Sequence, residues 1–267
     1  MGERTRLGVV GWPVAHSRSP KMMGAALAAV GLTDWRYQLL PLPPDLVLET
    51  ILALPQGGFR GVNVTIPHKS AALALADTAS PAARSIGAAN TLLFEPGGEV
   101  VAENTDAPAL IAALPWAPSA RTALVLGAGG SARAAAWALL DSGAAEVRIW
   151  NRRPDSARQL ADELGAAVAE TVQPADLLVN CTPVGMAPET DGFKALPVAA
   201  DELAMFECVV DFAYGEAATP LVRSARTLGV PVTDGLDLLV GQGALSFERF
   251  TGMPAPVEAM RAAARER

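Results

Sequence analysis

Cysteine and histidine are scarce in this chain of 267 residues, which contains two of each. The cysteines, Cys181 and Cys208, form no CxxC pair, so neither a disulfide framework nor a cysteine-ligated zinc site is predicted. His16 and His68 are too few for a histidine-rich metal site, and no metal is expected. This cysteine usage favours a reducing compartment, and we expect a cytoplasmic protein.

Long apolar runs and an excess of basic charge are also missing. No run of about 18 uncharged apolar residues occurs, so no membrane-spanning helix is predicted. The N-terminal apolar stretch is too short for a signal peptide. The net charge is −7, so neither nucleic acid nor a membrane surface is an expected partner. An anionic small-molecule substrate is compatible with this charge if its cationic partners are local.

Apolar runs and helical patterns alternate along most of the chain, which predicts an α/β protein with parallel sheets. Hydrophobic residues make up 51% of the sequence, enough for one large domain or two smaller ones. The segment PWAPSAR at 115–121 indicates a linker, and TDGLDLL at 233–239 indicates a second boundary. We therefore predict one domain of residues 1–103 with 237–267 and a second domain of residues 104–236.

A glycine turn in the segment LVLGAGGSARAA predicts a dinucleotide site in the second domain. The segment follows a predicted strand and opens an alanine-rich helix. Gly127, Gly129 and Ala132 occupy the three small positions of the dinucleotide fingerprint. The helix N-terminus presents free N–H groups to a pyrophosphate. The alternative is a tight strand–helix turn in an ordinary α/β domain.

The residues after the next predicted strand favour NADP(H) over NAD(H). An NAD site usually offers Asp or Glu there, about 20 residues beyond the glycine turn. This chain offers Asn151, Arg152 and Arg153. Guanidinium groups bind a 2′-phosphate with forked donors, whereas a carboxylate would repel it. The alternative is that both arginines are solvated charges at a helix start.

Four groups of polar residues stand at strand ends or loops of the first domain. They are Ser17 with Ser19, Thr65 with Lys69, Asn90, and Asn104 with Asp106. Each alone has a simpler interpretation, since Ser19 and Asp106 can cap helices and a lone lysine is usually solvated. Together they predict a site for a small polyhydroxylated anion. Lys69 and Asp106, if folding brings them together, suit proton transfer at a reacting oxygen, with the hydride coming from a nicotinamide.

Nine segments resemble the shikimate dehydrogenase family, in the family's order and over nearly the whole chain. They are GWPVAHSRSP, NVTIPHK, IGAANTL, ENTDAP, GAGGSARA, NRR, NCTPVGM, DFAY with TPL, and DGLDLLVGQGALSFERFTG. The resemblance implies reversible NADPH-dependent reduction of 3-dehydroshikimate to shikimate, in aromatic amino-acid (chorismate) biosynthesis. It also implies an N-terminal α/β substrate domain and a C-terminal Rossmann NADP-binding domain, with the active-site cleft between them.

The resemblance further implies roles for individual residues. Lys69 and Asp106 are the implied catalytic pair. The implied substrate contacts are Ser17 and Ser19 with Tyr214 nearby for the carboxylate, and Thr65, Asn90 and Gln242 for the ring hydroxyls. The implied phosphate loop comprises Gly127, Gly129, Gly130, Ser131 and Ala132. The remaining implied cofactor contacts are Asn151 and Arg152 at the 2′-phosphate, Thr182 and Met186 near the ribose and nicotinamide, and Gly235 near the nicotinamide amide.

Two departures from the family pattern, Met23-Gly24 in place of His-Asn and Ala109 in place of glycine, are expected to change packing only. One alternative is a quinate or quinate/shikimate dehydrogenase of the same family, and Arg152 argues against an NAD-dependent version. Another is a non-catalytic NADP-binding sensor, which would require the loss of Lys69 or Asp106. Either a monomer or a homodimer is compatible with the sequence.

Overall fold

The computed structural model describes residues 5–186 and 193–266. The chain divides into two units, one of Met1–Ala109 with Leu239–Arg267 and one of Leu110–Leu238. Each unit is built on its own six-stranded sheet. The predicted two-domain α/β fold is thereby confirmed, while the predicted boundaries at 103/104 and 236/237 stay a prediction. Within the described residues, no helix has the length and apolar character needed to cross a bilayer.

Strands and helices alternate along the chain, as the apolar pattern predicts. The N-terminal elements are β1 (Arg6–Gly11), α1 (Ser19–Ala29), β2 (Arg36–Pro41), α2 (Val47–Ala53), β3 (Phe59–Val64), α3 (Lys69–Ala74), β4 (Thr78–Ala79), α4 (Pro81–Ile86), β5 (Thr91–Phe94), β6 (Val100–Glu103) and α5 (Asp106–Ala113). The central elements are β7 (Thr122–Leu126), α6 (Gly130–Asp141), β8 (Glu146–Trp150), α7 (Pro154–Leu164), β9 (Ala167–Val168), β10 (Leu177–Asn180), β11 (Cys208–Asp211), α8 (Pro220–Thr227) and β12 (Val232–Thr233). Two helices follow, α9 (Gly235–Thr251) and α10 (Val257–Arg265).

The first sheet has the strand order β2-β1-β3-β5-β6-β4. Strands β1, β2 and β3 are parallel, whereas β5 and β6 form an antiparallel hairpin, with β5 also antiparallel to β3. The end of β3, the start of β5 and the end of β6 therefore lie at one edge of the sheet, where Asn63 pairs with Thr91 and Thr91 with Glu103. This topology places the loops that carry Lys69, Asn90 and Asp106 side by side.

Helix α9 packs directly on the first sheet at a glycine. A Cβ atom at Gly61 would lie 2.5 Å from the Phe250 ring and 2.7 Å from the Leu92 carbonyl oxygen. Phe250 is fully buried, as is Phe247 of the same helix. The departure at Ala109 also concerns packing, because a Cβ at Gly241 of α9 would lie only 3.3 Å from the Ala109 Cβ.

The second sheet is entirely parallel, with the order β12-β11-β10-β7-β8-β9. This is the doubly wound order of dinucleotide-binding domains, in which the direction of winding reverses between the first and fourth strands, here β7 and β10. Alanines of α6, among them Ala132, Ala135 and Ala136, are fully buried against the sheet. Small side chains let the helix approach the strands closely, which explains the alanine-rich sequence.

Asp176 links the N-terminal ends of β7 and β10 in this sheet, at the edge opposite the glycine turn. Its Oδ2 accepts hydrogen bonds from the Thr122 backbone N–H at 2.6 Å and the Thr122 hydroxyl at 2.9 Å. The Arg121 guanidinium lies 3.4 Å from Oδ1. The backbone hydrogen bond from Thr122 lowers the pKa of Asp176 below its usual value of 3.8, so the ionised form stabilises the fold.

We expect Asp176→Ala to lower the free energy of unfolding by about 1–3 kcal/mol, since the Thr122 donors lose their acceptor. Asp155→Ala, which removes an exposed partner of Arg158, should cost less than about 0.5 kcal/mol. A carboxyl with a lowered folded-state pKa stabilises above its unfolded pKa and loses that effect as pH falls. Wild type and Asp176→Ala should thus converge in acid, as measured by urea denaturation from pH 7 to pH 3. A difference that grows in acid would contradict this account.

Candidate active site

Lys69 and Asp106 form a buried ion pair in the first unit. The Lys69 Nζ lies 2.6 Å from the Asp106 Oδ2, and the two residues are only 8% and 6% exposed. Each is the first residue of its helix, Lys69 of α3 and Asp106 of α5. A helix start is an unfavourable place for a cation because the helix dipole is positive there. The Asp106 carboxylate offsets that cost and holds the ammonium at the sheet edge.

His68 anchors the turn that leads from β3 to α3. Its ring Nε2 lies 2.7 Å from the Leu42 carbonyl oxygen, and the residue is 2% exposed. Its backbone N–H donates to the Thr65 carbonyl oxygen at 3.0 Å. The histidine is therefore a buried structural residue that fixes the position of Lys69, its neighbour in sequence.

Asn104 caps helix α5. Its Oδ1 accepts hydrogen bonds from the backbone N–H groups of Asp106 and Ala107 at 3.1 and 3.2 Å, and its Nδ2 donates to the Ala88 carbonyl oxygen at 2.9 Å. The simpler interpretation of Asp106 as the helix cap is wrong, because Asn104 takes that role. The Asp106 carboxylate is left to bind other side chains.

Asn90 holds the Asp106 carboxylate from the side opposite Lys69. Its Nδ2 donates to the Asp106 Oδ1 at 2.9 Å, while Oδ2 receives the lysine. The Asn90 Oδ1 accepts the Thr105 backbone N–H at 2.8 Å, which fixes the orientation of the amide. Both oxygens of the carboxylate are thereby occupied. Gln242 of α9 joins this group through its Oε1, which lies 3.4 Å from the Asn90 Nδ2.

A buried polar network beneath the ion pair was not predicted from the sequence. The Ser246 Oγ lies 2.8 Å from the Asn63 Nδ2, 2.9 Å from the Thr91 Oγ1 and 3.1 Å from the Thr105 Oγ1. The Tyr37 hydroxyl donates to the Asn63 Oδ1 at 2.8 Å. Spacing carried a signal for one member, because Ser246 follows Gln242 by four residues and so lies on the same face of α9.

The two predicted carboxylate-binding serines lie in the loop after β1 and at the start of α1. Helix α1 begins at Ser19, so Arg18 and not Ser19 is at the N-cap position, and the Ser17 Oγ accepts the Ser19 backbone N–H at 3.3 Å. The Arg18 guanidinium donates to the Ala264 carbonyl oxygen in α10 at 2.8 Å, which anchors this loop. Strand β1 is the parallel neighbour of β3, so the serines share the sheet edge with Lys69.

Thr65, the residue after β3, packs tightly against β1. A Cβ atom at Gly11 would lie only 2.4 Å from the Thr65 Cγ2, so this approach requires glycine. Its backbone N–H donates to the Val10 carbonyl oxygen at 2.9 Å. The structure thus places Thr65, Lys69, Asn90, Asp106 and Gln242 in the same unit, with direct contacts linking the last four.

The glycine turn of the second unit has the geometry that a pyrophosphate requires. Gly127 opens the turn after β7 with φ at +116°, and α6 begins at Gly130, followed by Ser131. A Cβ at Gly129 would meet no atom within 4 Å, so this face of the turn is open. Ala132 is fully buried where helix and sheet pack together. The residues present therefore fit a dinucleotide phosphate group at the helix N-terminus.

The residues predicted to select NADP lie at the same edge of this sheet. Strand β8 is the parallel neighbour of β7, and the Gly127 N–H donates to the Trp150 carbonyl oxygen at 2.8 Å. Asn151 and Arg152 come directly after Trp150, and the Asn151 Nδ2 donates to the Arg153 carbonyl oxygen at 3.1 Å. Arg152 is exposed. An exposed guanidinium beside the turn fits the additional phosphate of NADP.

The remaining predicted cofactor residues follow β10 and β12, and the predicted substrate contact Tyr214 follows β11. The Thr182 hydroxyl donates to the Asn180 Oδ1 at 2.7 Å, and the Met186 N–H donates to the Pro183 carbonyl oxygen at 3.2 Å. Gly235 begins α9, and a Cβ there would lie 2.5 Å from the Ala213 carbonyl oxygen. Tyr214 is half-buried in this second unit, three residues beyond β11. Among the residues with described positions, no cluster of three or more His, Cys, Asp or Glu suits a metal ion.

A doubly wound dinucleotide unit, together with an α/β unit that holds a buried Lys–Asp pair, defines a two-domain dinucleotide-dependent oxidoreductase. Three family models match the chain in succession. They are described as shikimate dehydrogenase substrate binding domain (residues 9–92), shikimate / quinate 5-dehydrogenase (114–182) and shikimate 5'-dehydrogenase C-terminal domain (235–265). The chain belongs to the shikimate dehydrogenase family.

Curated relatives and solved structures agree with the family models. A shikimate dehydrogenase (NADP(+)) of Paracoccus denitrificans is 42% identical, with 94% of this chain and 92% of the relative covered. One from Anaeromyxobacter sp. (strain Fw109-5) is 44% identical, with 98% and 96% covered. Shikimate 5-dehydrogenase from Thermus thermophilus, in complex with NADP(H) and shikimate, has a TM-score of 0.85 at 41% identity, with 98% of each chain covered. The Aquifex aeolicus enzyme has a TM-score of 0.88 at 30% identity, again with 98% of each covered.

The burial of the ion pair predicts a large cost when only one partner is removed. We expect Asp106→Ala to lower the free energy of unfolding by about 3 kcal/mol, because the Lys69 ammonium loses its carboxylate in a buried setting. Lys69→Met combined with Asp106→Ala should cost less than Asp106→Ala alone, since no buried charge is left. Urea denaturation measures both.

The matched control is Glu266→Ala, which removes the partner of Lys21 in an exposed ion pair at 3.1 Å. Its cost should stay below about 1 kcal/mol. The single variant Lys69→Met completes the comparison. If the loss of stability in Lys69→Met/Asp106→Ala equalled the sum of the losses in Lys69→Met and Asp106→Ala, Lys69 and Asp106 would not be coupled.

Proposed function

We propose that the protein catalyses the reversible NADPH-dependent reduction of 3-dehydroshikimate to shikimate, an oxidoreductase reaction of aromatic amino-acid (chorismate) biosynthesis. The observation that carries the proposal is the buried Lys69–Asp106 pair in a chain of the shikimate dehydrogenase family. The matched relatives carry NADP(+) in their names, and the Thermus thermophilus structure contains both NADP(H) and shikimate. The cofactor is NADP(H).

The first unit offers hydroxyl and amide groups that suit a carboxylated, hydroxylated ring. In this proposal Ser17 and Ser19 donate to the substrate carboxylate, together with Tyr214. Thr65, Asn90 and Gln242 bond the ring hydroxyls. Amide groups donate and accept at once, so they bind hydroxyl groups whose own hydrogen also needs an acceptor. The fixed amide of Asn90, which already contacts Asp106 and Gln242, supports a preformed site.

Lys69 and Asp106 handle the proton at the reacting oxygen. The lysine ammonium has three N–H donors, of which the Asp106 carboxylate takes one at 2.6 Å. A second donor can stabilise the negative charge that develops on the carbonyl oxygen during reduction. The pair then supplies the proton to that oxygen, and it accepts the proton when shikimate is oxidised. Bound NADPH supplies the hydride.

The second unit binds the cofactor through its backbone and a few side chains. The phosphate loop is formed by Gly127, Gly129, Gly130, Ser131 and Ala132, where the open helix N-terminus receives the pyrophosphate. Asn151 and Arg152 bind the 2′-phosphate. Thr182 and Met186 contact the ribose and nicotinamide, and Gly235 lies near the nicotinamide amide. Each assignment rests on the match to the family motifs, and those of the phosphate loop and the 2′-phosphate residues rest also on the turn geometry at β7 and β8.

Cellular setting and assembly are part of the proposal. Neither Cys181 nor Cys208 forms a disulfide bond, which suits a reducing compartment, and we propose a cytoplasmic enzyme. We propose that it acts as a monomer or a homodimer. Quinate is a second candidate substrate, because the family model that matches residues 114–182 is described as shikimate / quinate 5-dehydrogenase.

Turnover of shikimate with NADP⁺ by the purified protein tests the proposal. We expect kcat/KM for shikimate to exceed that for quinate, and kcat/KM with NADP⁺ to exceed that with NAD⁺ by about tenfold or more, since a guanidinium–phosphate contact contributes at least about 1.4 kcal/mol. Arg152→Ala should lower the ratio of kcat/KM with NADP⁺ to kcat/KM with NAD⁺. The control is Arg158→Ala, which removes an exposed arginine of α7 that pairs with Asp155 and should leave this ratio unchanged. A protein that binds NADP⁺ without oxidising shikimate would be a sensor and not this enzyme.

A further inference from the structure

Asp211 is a fully buried carboxylate that takes no part in the proposed chemistry. It is the last residue of β11 and is 0% exposed. Its Oδ1 accepts hydrogen bonds from the Asn180 Nδ2 at 2.8 Å and the Ala213 backbone N–H at 3.0 Å, and its Oδ2 accepts the Thr219 hydroxyl at 2.5 Å. A buried charge is costly unless several donors compensate it. Here three donors, from Asn180, Ala213 and Thr219, converge on one side chain.

Burial raises the pKa of Asp211 to about 6, against the effect of its hydrogen bonds. The Asp234 carboxylate, which pairs with Arg226 at 3.1 Å, acts in the same direction as burial. The carboxylate is thus maintained at a site that disfavours its charge. Buried carboxylates with a shifted pKa are found most often at functional sites.

The first arm of the Asp211 network runs through Asn180 to the loop after β10, residues Cys181–Met186, here called the 181–186 loop. An ionised carboxylate only accepts, so it draws the Asn180 Nδ2 toward itself and turns the Oδ1 toward the loop. That Oδ1 accepts the Thr182 N–H at 3.1 Å and the Thr182 hydroxyl at 2.7 Å. The Thr182 Oγ1 in turn accepts the Val184 N–H at 3.3 Å.

The second arm runs through Thr219, which caps α8. Because Asp211 takes the hydroxyl hydrogen of Thr219, the Thr219 Oγ1 presents a lone pair to the Val222 N–H at 3.2 Å. The 181–186 loop packs against this segment at Gly185, where a Cβ would lie 3.2 Å from the Thr219 Cβ. Gly185 has φ at +93°, a conformation that favours glycine. Both arms therefore end at the same loop.

The 181–186 loop also touches the phosphate turn. A Cβ at Gly127 would lie 3.3 Å from the Cys181 carbonyl carbon and 3.5 Å from the Thr182 Cγ2. The loop is thus fixed between the phosphate turn on one side and the Asp211 network on the other. A loop that is ordered before the ligand arrives does not lose conformational entropy on binding.

We propose that Asp211 is a positioning residue for cofactor binding, which holds the 181–186 loop in one arrangement through Asn180 and Thr219. The inference rests on the proposed function, because Thr182 and Met186 are assigned there to the ribose and nicotinamide. Asp211 itself touches neither cofactor nor substrate in this account. Its effect is on NADP(H) affinity and not on shikimate affinity.

Asp211→Ala and Asn180→Ala test the network, with NADPH binding measured by calorimetry and KM values by steady-state kinetics. Both variants should raise the NADPH dissociation constant about tenfold, as expected when a hydrogen bond to a charged group is lost. The KM for shikimate should change by less than about twofold in both variants. Asp211→Asn keeps an Oδ1 acceptor for Asn180 and Ala213, so it should stay within about threefold of wild type.

The matched control is Asp176→Ala, which removes a carboxylate bonded to a threonine at the opposite edge of the same sheet. It should lower stability and leave NADPH affinity unchanged. Adding Asn180→Ala to Asp211→Ala should weaken NADPH binding no further, because both changes interrupt one path.

Wild-type NADPH affinity in Asp211→Ala or in Asn180→Ala would overturn the inference, as would fully additive effects in the double variant. If Asp211→Ala does not fold, Asn180→Ala decides the inference by the same criterion of NADPH affinity, and Asp211→Asn is the conservative variant that should retain binding. A wild-type protein that neither binds NADPH nor oxidises shikimate would overturn the proposed function itself, a result distinct from unchanged NADPH binding in the variants.

Discussion

The ion pair between Lys69 and Asp106 is the interaction on which the rest of the site depends. Two charges less than 10% exposed are stable only if their geometry is fixed and their other hydrogen-bonding groups are satisfied. The protein meets both conditions with neutral side chains. Asn90 occupies the second carboxylate oxygen, and Asn104 caps α5 so that Asp106 does not have to. The geometry of the pair is therefore fixed before any ligand binds, as the proposed role at a reacting oxygen requires.

Sheet topology explains how residues far apart in sequence reach one place. Strand β1 is parallel to β3, β3 is antiparallel to β5, and β5 is antiparallel to β6. The ends of β1, β3 and β6 and the start of β5 therefore lie at one edge of the sheet. Helix α9 then closes on the sheet through Gly61 and delivers Gln242 and Ser246. The second unit follows the same principle with a parallel sheet, where the turns after β7 and β8 carry the residues proposed to bind the phosphates of the cofactor.

The sequence predicted the alternation of strands and helices, the two domains and the glycine turn, because these follow from local patterns of apolar residues, proline and glycine. It missed the cap by Asn104 and the networks around Ser246 and Asp211. The side chains of Asn, Ser and Asp can hydrogen-bond either to the nearby backbone or to distant segments. Which of the two they do depends on how distant segments pair, and the sequence alone does not show this pairing. Asp211 in particular has the pattern of a residue that ends an apolar strand, and two of its three donors, Asn180 and Thr219, lie outside the strand end itself.

The most direct test of the central claim is kcat for shikimate oxidation in Lys69→Ala, measured together with the NADPH dissociation constant. Loss of a proton-transfer group should lower kcat by about 10²–10⁴-fold, while NADPH binding stays within about twofold of wild type, a difference well under about 1 kcal/mol. Lys21→Ala, a change at an exposed lysine, should alter neither value. A Lys69→Ala enzyme that keeps wild-type kcat would contradict the role assigned to the Lys69–Asp106 pair.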